Sequence, residues 1–282
     1  MIDVTVIGSL HLDIMVKAPR LPQRDETLPG SSWHYKCGGK GGNQAVAAAR
    51  SGAKTAFGGQ TGSDDFGSRL HANLAAAGVD VSHVDTDPDH GSGMSVAISE
   101  DAGEYGAVVV SGANLTIDPK AIETRWEKLW HTKVMLLQNE IPEAVSLTAA
   151  RNAHRNGALV ILNAAPARDM SPVFMNLIDV LVVNRVEAKM LSGTDDPDRA
   201  LSTLHTPRRH VILTRGAEGL SLMTKGGVRT DFPALPVKLV SSHGAGDCFC
   251  GTLAARLAAG DDLSFACRFA SATAGRFVSR PG

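Results

Sequence analysis

The sequence predicts an α/β fold: a mainly parallel sheet covered on both faces by helices, with a smaller antiparallel sheet lying over it. Three observations lead there. Four continuous apolar runs end in polar residues, "KVMLLQNE" (133–140), "ALVILNAAP" (158–166), "DVLVVN" (179–184) and "HVILT" (210–214). Runs of this kind, apolar without alternation, suit parallel strands buried on both faces. Helical stretches stopped by glycine separate such runs, and two stretches break the strand–helix alternation altogether.

In chain order, "VTVIGS" (4–9) reads as a short buried strand. The segment 11–39 holds three prolines and no helical period. "NQAVAAARSGA" (43–53) reads as a helix stopped by Gly52, and "FGSRLHANLAAAGVDV" (66–81) as a second stopped by Gly78, since glycine suits the left-handed position after a helix. Residues 93–112 alternate in polarity about "EDAGE", as a hairpin does. Together with 11–39 they are expected to make the small sheet, a lid or a dimer surface. In open parallel sheets ligands gather beyond the carboxyl ends of the strands, so the polar residues ending each run mark the place to look.

Composition excludes several classes. A chain of 282 residues with 43% hydrophobic content fits one large domain, 1–282, with an ample core. No segment approaches the ~18 uninterrupted apolar residues of a membrane span. "MIDVTVIGS" lacks the basic and apolar regions of a signal peptide, so a cytoplasmic protein is expected. A net charge of -1 gives no electrostatic reason to expect nucleic acid or an anionic membrane as partner. Cys248 and Cys250 stand two apart, which is neither redox nor zinc spacing, and with Cys37 and Cys267 they read as reduced packing cysteines.

The glycine-rich segments carry the chemistry. "CGGKGGNQ" (37–44) is not a phosphate-binding Walker loop, because Gly41 follows Lys40 where Lys-Ser/Thr is needed. Gly8 opens no dinucleotide fingerprint, since "SLHLD" follows it. What remains is a backbone able to approach a small ligand, with Lys40 and Asn43 as hydrogen-bonding side chains. "HGAGD" (243–247) places small residues and one acid at the mouth of an apolar helix. Converging N–H groups and the helix dipole there stabilise negative charge, and an acid in that place can take a proton from an attacking hydroxyl. The competing reading of Asp247 is a simple helix cap.

With these residues in view, the chain resembles the ribokinase-like sugar kinases, the phosphofructokinase B family. The resemblance is carried by "GSLHLD", "GGKGGNQAVAAARSGA", "TGSDDFG", "SGAN", "NEIP", "LNAAPAR", "NRVEAKMLSG", "LTRGAEG" and "GAGDCFCG", nine pieces in family order. It implies a three-layer α/β/α domain with a small β-sheet lid and ATP-dependent phosphorylation of a sugar hydroxyl. By the same resemblance Asp247 is the catalytic base, and the backbone amides of Gly244, Ala245 and Gly246 form its anion hole. His11, Asp13, Gly38, Gly39, Lys40, Asn43 and Glu140 fall to the sugar. Asn184 contacts phosphate, and Glu187 organises Mg2+ through water. The run Thr214, Arg215, Gly216, Ala217, Glu218, Gly219 lies on the nucleotide.

The lysine-bearing loop 37–44 is kept by the ribokinase and deoxyribokinase branches, which favours a pentose; phosphorylation of D-ribose at its 5-hydroxyl is expected. A nucleoside kinase is the second reading, with Trp33 and Tyr35 as the residues able to stack a base, although an aromatic content of 5% leaves few others. A catalytically weak sugar-binding homologue is the third. It is motivated by two departures, Ser241-Ser242 where the family has Asp-Thr, and an end at "SRPG" where relatives continue. Because Ser241 replaces an acid of the family's potassium site, little potassium stimulation is expected, and His243 is expected to supply positive charge there when protonated. A homodimer through the lid is the expected assembly.

Overall fold

The computed structural model describes residues 1–100 and 105–279. In chain order it contains β1 (Ile2–Ile7), β2 (His11–Ala18), β3 (Ser32–Gly38), α1 (Lys40–Arg50), β4 (Thr55–Gly62), α2 (Asp65–Ala76), β5 (Asp80–Asp87), β6 (Gly93–Glu100) and β7 (Tyr105–Val110). There follow α3 (Ala121–Arg125), β8 (Thr132–Gln138), α4 (Glu143–Arg155), β9 (Leu159–Asn163), α5 (Pro172–Met175), β10 (Val180–Asn184), α6 (Arg185–Ser192) and α7 (Pro197–Leu204). The chain continues through β11 (His210–Thr214), β12 (Leu220–Met223), β13 (Arg229–Phe232), α8 (Ala245–Ala258) and α9 (Leu263–Val278). The turn expected at 100–104 lies, in its residues 101–104, outside the described residues, as do residues 280–282 of the terminal "SRPG".

The large sheet runs β13-β12-β11-β10-β9-β8-β1-β4-β5. It is parallel from β5 to β11, and β12 and β13 close one edge antiparallel. Side chains alternate faces along a strand, and here both faces are buried, which is why the strands read as unbroken apolar runs. Met135, Leu137, Leu181 and Val183 join a core with Val145 and Ala149 of α4 and Leu201 of α7. Val134, Leu136, Val180 and Val182 join the opposite core with Ala45 and Ala48 of α1, Leu70 of α2, Phe249 and Leu253 of α8 and Cys267 of α9. The three layers follow. Among the described residues no helix is long and apolar enough to cross a membrane.

Gly52 and Gly78 adopt the left-handed φ expected of helix stops, 92° and 80°. Strand β4 carries no continuous apolar signal, because "TAFGGQTG" interrupts itself with glycine. Packing explains the interruption: a Cβ on Gly58 would lie 2.6 Å from Ile7 Cδ1 and 2.8 Å from Leu129 Cδ1. The residue is bare because its neighbours already fill the space.

Strands from 11–39 and 93–112 form the second sheet, ordered β3-β2-β6-β7. Its two outer pairs are antiparallel, and β2 and β6 join them in parallel register. Pairing of Asp13 with both Lys36 and Ser95 puts these three on one face, with His11 and Gly38 in the same parity. The opposite face carries Leu12, Ile14 and Val16 with Trp33, Tyr35, Val96 and Val108.

Candidate active site

Helix α8 is preceded by Gly244 at its N-cap, whose φ of 80° and ψ of 2° lie in the left-handed region that glycine adopts without strain. No side chain caps this terminus; the Ala245 N–H donates to Ser242 O at 3.2 Å, and the N–H groups of Gly246 and Asp247 that follow are open to a ligand. A Cβ placed on Gly246 would meet nothing within 4 Å. The protein's own packing therefore does not require glycine there, and the bare position leaves open space in front of the helix.

Asp247 does not act as the cap. Its carboxylate is directed across to α1, where Asn43 Nδ2 donates to Oδ2 at 3.1 Å and Gln44 Nε2 donates to Oδ1 at 2.9 Å. The side chain is 7% exposed. Burial raises its pKa above the ordinary 3.8, opposed by the Lys40 charge and the two amide donors and reinforced by Glu140. A carboxylate so desolvated yet still accepting donors is a stronger base than a surface aspartate.

Two cavities meet at this residue. One, of about 340 Å³, is lined by Lys36, Asn43, Arg50, His243, Gly244 and Asp247 among others. The other, of about 210 Å³, is lined by Lys40, Asn163, Asn184, Glu187, Thr214, Gly246 and again Gly244 and Asp247. The smaller lies at the carboxyl ends of the parallel strands, since Asn163, Asn184 and Thr214 are the last residues of β9, β10 and β11, whereas the larger is lined chiefly by α1, α8 and α9.

The remaining sugar-side residues group outside these two cavities. Glu140 Oε2 accepts from the Lys40 backbone N–H at 2.8 Å and from Ser9 Oγ at 2.5 Å, and His11 Nδ1 stands 4.0 Å from it. Asp13 Oδ1 accepts from Ser95 Oγ at 2.5 Å. Gly38 gives that carboxylate its room, because a Cβ there would lie 2.3 Å from Asp13 Oδ2. Gly39, at φ 82°, caps α1 with no side chain. Of the run 214–219, Thr214 lines the smaller cavity and Arg215 to Gly219 line neither; Glu218 pairs with Arg185 at 2.5 Å and Arg215 with Asp231 at 3.5 Å.

Glu187 and Asn184 form a reciprocal cap at the start of α6. Asn184 Oδ1 accepts from the Val186 and Glu187 N–H groups, and the Glu187 carboxylate accepts from Asn184 N at 2.6 Å and Asn184 Nδ2 at 2.8 Å. Burial raises the Glu187 pKa, and Lys40 counters it electrostatically. At the other end of the site, Ser241 Oγ accepts from the His243 N–H at 3.3 Å, while the N–H groups of Val240 and Ser241 donate to Val278 O. Burial lowers the His243 pKa below 6.5, with Lys36 adding to the effect. That ring therefore gives up its proton more readily than a free imidazole, and the positive charge expected of it is disfavoured.

Sequence reasoning did not single out Gln44, Gln138, Lys36, Ser95 or Asn163. Two of these left a signal: Gln138 and Asn163 are polar ends of apolar strand runs. Ser95 sits on the polar parity of an alternating strand, and only the register shows that it faces Asp13.

The profile of the pfkB family of carbohydrate kinases matches residues 1–282. The chain is 33% identical to a ribokinase of Haemophilus influenzae, over 99% of this chain and 93% of that protein, and 35% identical to a ribokinase of Mus musculus, over 93% and 83%. Its fold matches the Arabidopsis thaliana ribokinase complexed with ribose and ATP at a TM-score of 0.92 and 27% identity, covering 99% of this chain and 93% of that one. The ribokinase of Thermotoga maritima matches at a TM-score of 0.89 and 28% identity, over 100% and 94%.

Proposed function

The chain belongs to the pfkB family of carbohydrate kinases, and from that membership and the geometry of its cleft we propose that it transfers the γ-phosphoryl group of ATP to the 5-hydroxyl of D-ribose. The observation that carries this reading is the Asp247 carboxylate, buried at the first turn of α8 and shared by two cavities. One cavity receives the sugar hydroxyl and the other the phosphates. The bond from ribose O5 to Pγ forms as the bond from Pγ to the β,γ-bridging oxygen breaks; the hydroxyl proton passes to Asp247, and ADP leaves. In this reading the N–H groups of Gly244, Ala245 and Gly246, with the helix dipole behind them, face the transferred phosphoryl, that of Ala245 after leaving Ser242 O. Asp13 and Asn43 hold the ribose hydroxyls, and Glu140 holds the loop carrying Lys40 in place.

Mg2+ fits the residues present. Among the described residues no cluster of three or more His, Cys, Asp or Glu could cage a metal. A strongly hydrated ion that also takes ATP phosphates needs only one or two carboxylates, and Glu187 beside Asn184 would supply one, through water. When bound, the ion would neutralise phosphate charge.

The nucleoside-kinase reading loses its stacking residues. Trp33 and Tyr35 lie on the face of the small sheet opposite Asp13, and the Tyr35 ring packs edge-on to Phe66 with centroids 5.9 Å apart. That same face supports a homodimer, with the small sheet serving as lid and interface together. Trp33 on one edge strand and Val108 and Val110 on the other are 62%, 70% and 52% exposed, and apolar exposure of this kind on one face of a sheet supports association there. Four free cysteines accord with a cytoplasmic location.

A coupled assay for ADP release with a panel of pentoses, hexoses and nucleosides tests the assignment. D-ribose is expected to give the highest kcat/KM. Preference for a nucleoside would transfer the reading to that substrate class, and heat of sugar binding without turnover would replace it with a binding protein.

A further inference from the structure

The Asp247 carboxylate is held by an amide that is itself held. Gln44 Nε2 donates to Asp247 Oδ1 at 2.9 Å, and Gln138 Nε2, at the end of β8, donates to Gln44 Oε1 at 2.8 Å. Both glutamines are 0% exposed. Only one sense of donation satisfies this chain. A carboxylate only accepts, so it takes the NH2 end of Gln44; the carbonyl end then faces Gln138, and only an NH2 can meet it. Gln138 Oε1 is consequently turned away, and no hydrogen-bond partner reaches it. A buried acceptor left this way is unfavourable, so its orientation is imposed by the acceptors its NH2 meets, Gln44 Oε1 at 2.8 Å first and Leu136 O at 3.5 Å second. The orphaned oxygen and the α1 backbone together account for Gly8, where a Cβ would lie 2.0 Å from the one and 2.8 Å from Gly41 Cα.

We propose that Gln44 and Gln138 form an amide relay that fixes the rotamer and donor sense at the catalytic carboxylate, which makes them positioning residues for phosphoryl transfer. The proposal rests on the reading of Asp247 as the base. The relay crosses three elements, β8, α1 and α8, so it ties the base to both the sheet and the sugar loop. Other groups facing Asp247 are Lys40 and Asn43 on α1, Glu140 beyond β8, His243 ahead of α8, and Cys248 and Cys250 on α8 itself. These stay constant when only the glutamines change. Each amide donor favours the ionised carboxylate, so loss of the relay moves the Asp247 titration upward.

The test uses the purified full chain with D-ribose and MgATP, measuring kcat and both KM values against pH for Gln44→Met, Gln138→Met and the double variant. Methionine is similar in size and cannot donate. Each single variant is expected to lose about 10- to 100-fold in kcat, as small misplacements of a reacting group do. Both KM values are expected to hold within about threefold, and the acid limb of kcat to move up. Because Gln138 acts through Gln44, the double variant is expected to match Gln44→Met rather than to sum the two losses. An acid limb in the parent's position in folded variants, or additive losses, would overturn the relay. Should Gln138→Met not fold, the acid limb of Gln44→Met decides alone. Asp247→Asn, run alongside, separates the two ideas. If it retains turnover, the base assignment falls and the relay with it; if it is inactive while the glutamine variants titrate like the parent, only the relay falls.

Discussion

Replacing Asp13 by alanine removes a carboxylate from the sugar-facing side of the small sheet without touching the phosphate cavity. In the structure this carboxylate accepts from Ser95 Oγ at 2.5 Å through Oδ1, and Gly38, lacking a side chain, leaves Oδ2 the space that a Cβ at 2.3 Å would take. The second oxygen is thus available to ribose hydroxyls. A hydrogen bond to a charged, partly buried group contributes about 1.5–3 kcal/mol, which corresponds to roughly 10- to 150-fold in affinity. The expectation is a rise of that size in the ribose KM, with the ATP KM unchanged within about twofold. Ser95→Ala serves as control: it removes the neighbour but keeps the acid, and is expected to have a smaller effect in the same direction. The assay is ADP release with one substrate varied while the other saturates. An equal rise in both KM values would show that Asp13 maintains the fold and does not contact the sugar.

Asp247→Asn is expected to lower kcat by about 10²–10⁴-fold, the usual contribution of a general base, while calorimetry shows ribose still bound; a kcat within threefold of the parent's would remove the assignment. In the parent, burial raises the Asp247 pKa, so the ionised form is lost, and kcat falls, at a pH above that at which an ordinary aspartate titrates; a limb at or below 3.8 would contradict the burial argument. Potassium replacing choline at fixed ionic strength is expected to change the initial rate little, because a serine hydroxyl at 241 is a weak ligand for a hard cation; a rise of about tenfold or more would show an intact cation site. Val108→Asp, which charges the exposed apolar face of the small sheet, is expected to shift the protein from dimer to monomer in sedimentation, and a parent already monomeric at micromolar concentration would remove the dimer.

Where the sequence was legible, a strong local rule acted without competition. The runs ending at Gln138, Asn163, Asn184 and Thr214 became parallel strands because both faces of the sheet are covered, and Gly52 and Gly78 took the left-handed stops that glycine favours. Asp247 could be placed at a helix mouth from "HGAGD" alone. Whether it caps that helix could not, since the choice depends on Asn43 and Gln44 reaching it from about two hundred residues away. Strand β4 was hidden because tertiary crowding by Ile7 and Leu129 selected glycine against strand propensity. The parallel pairing of β2 with β6 was equally invisible, because alternation within each hairpin is the same whichever way the hairpins join. Nothing in the sequence announces that Gln138 reaches Gln44, since that contact exists only once β8 and α1 pack.

The most direct measurement follows the phosphorus itself. Purified protein is incubated with D-ribose and MgATP, and the reaction is observed by ³¹P NMR beside an Asp247→Asn control. The expected spectrum shows ATP converted to ADP with one new phosphomonoester, coupled to the C5 protons of ribose and absent from the control. Release of inorganic phosphate alone, a phosphate on C1, or equal product in the control would contradict transfer to the 5-hydroxyl with Asp247 as the base.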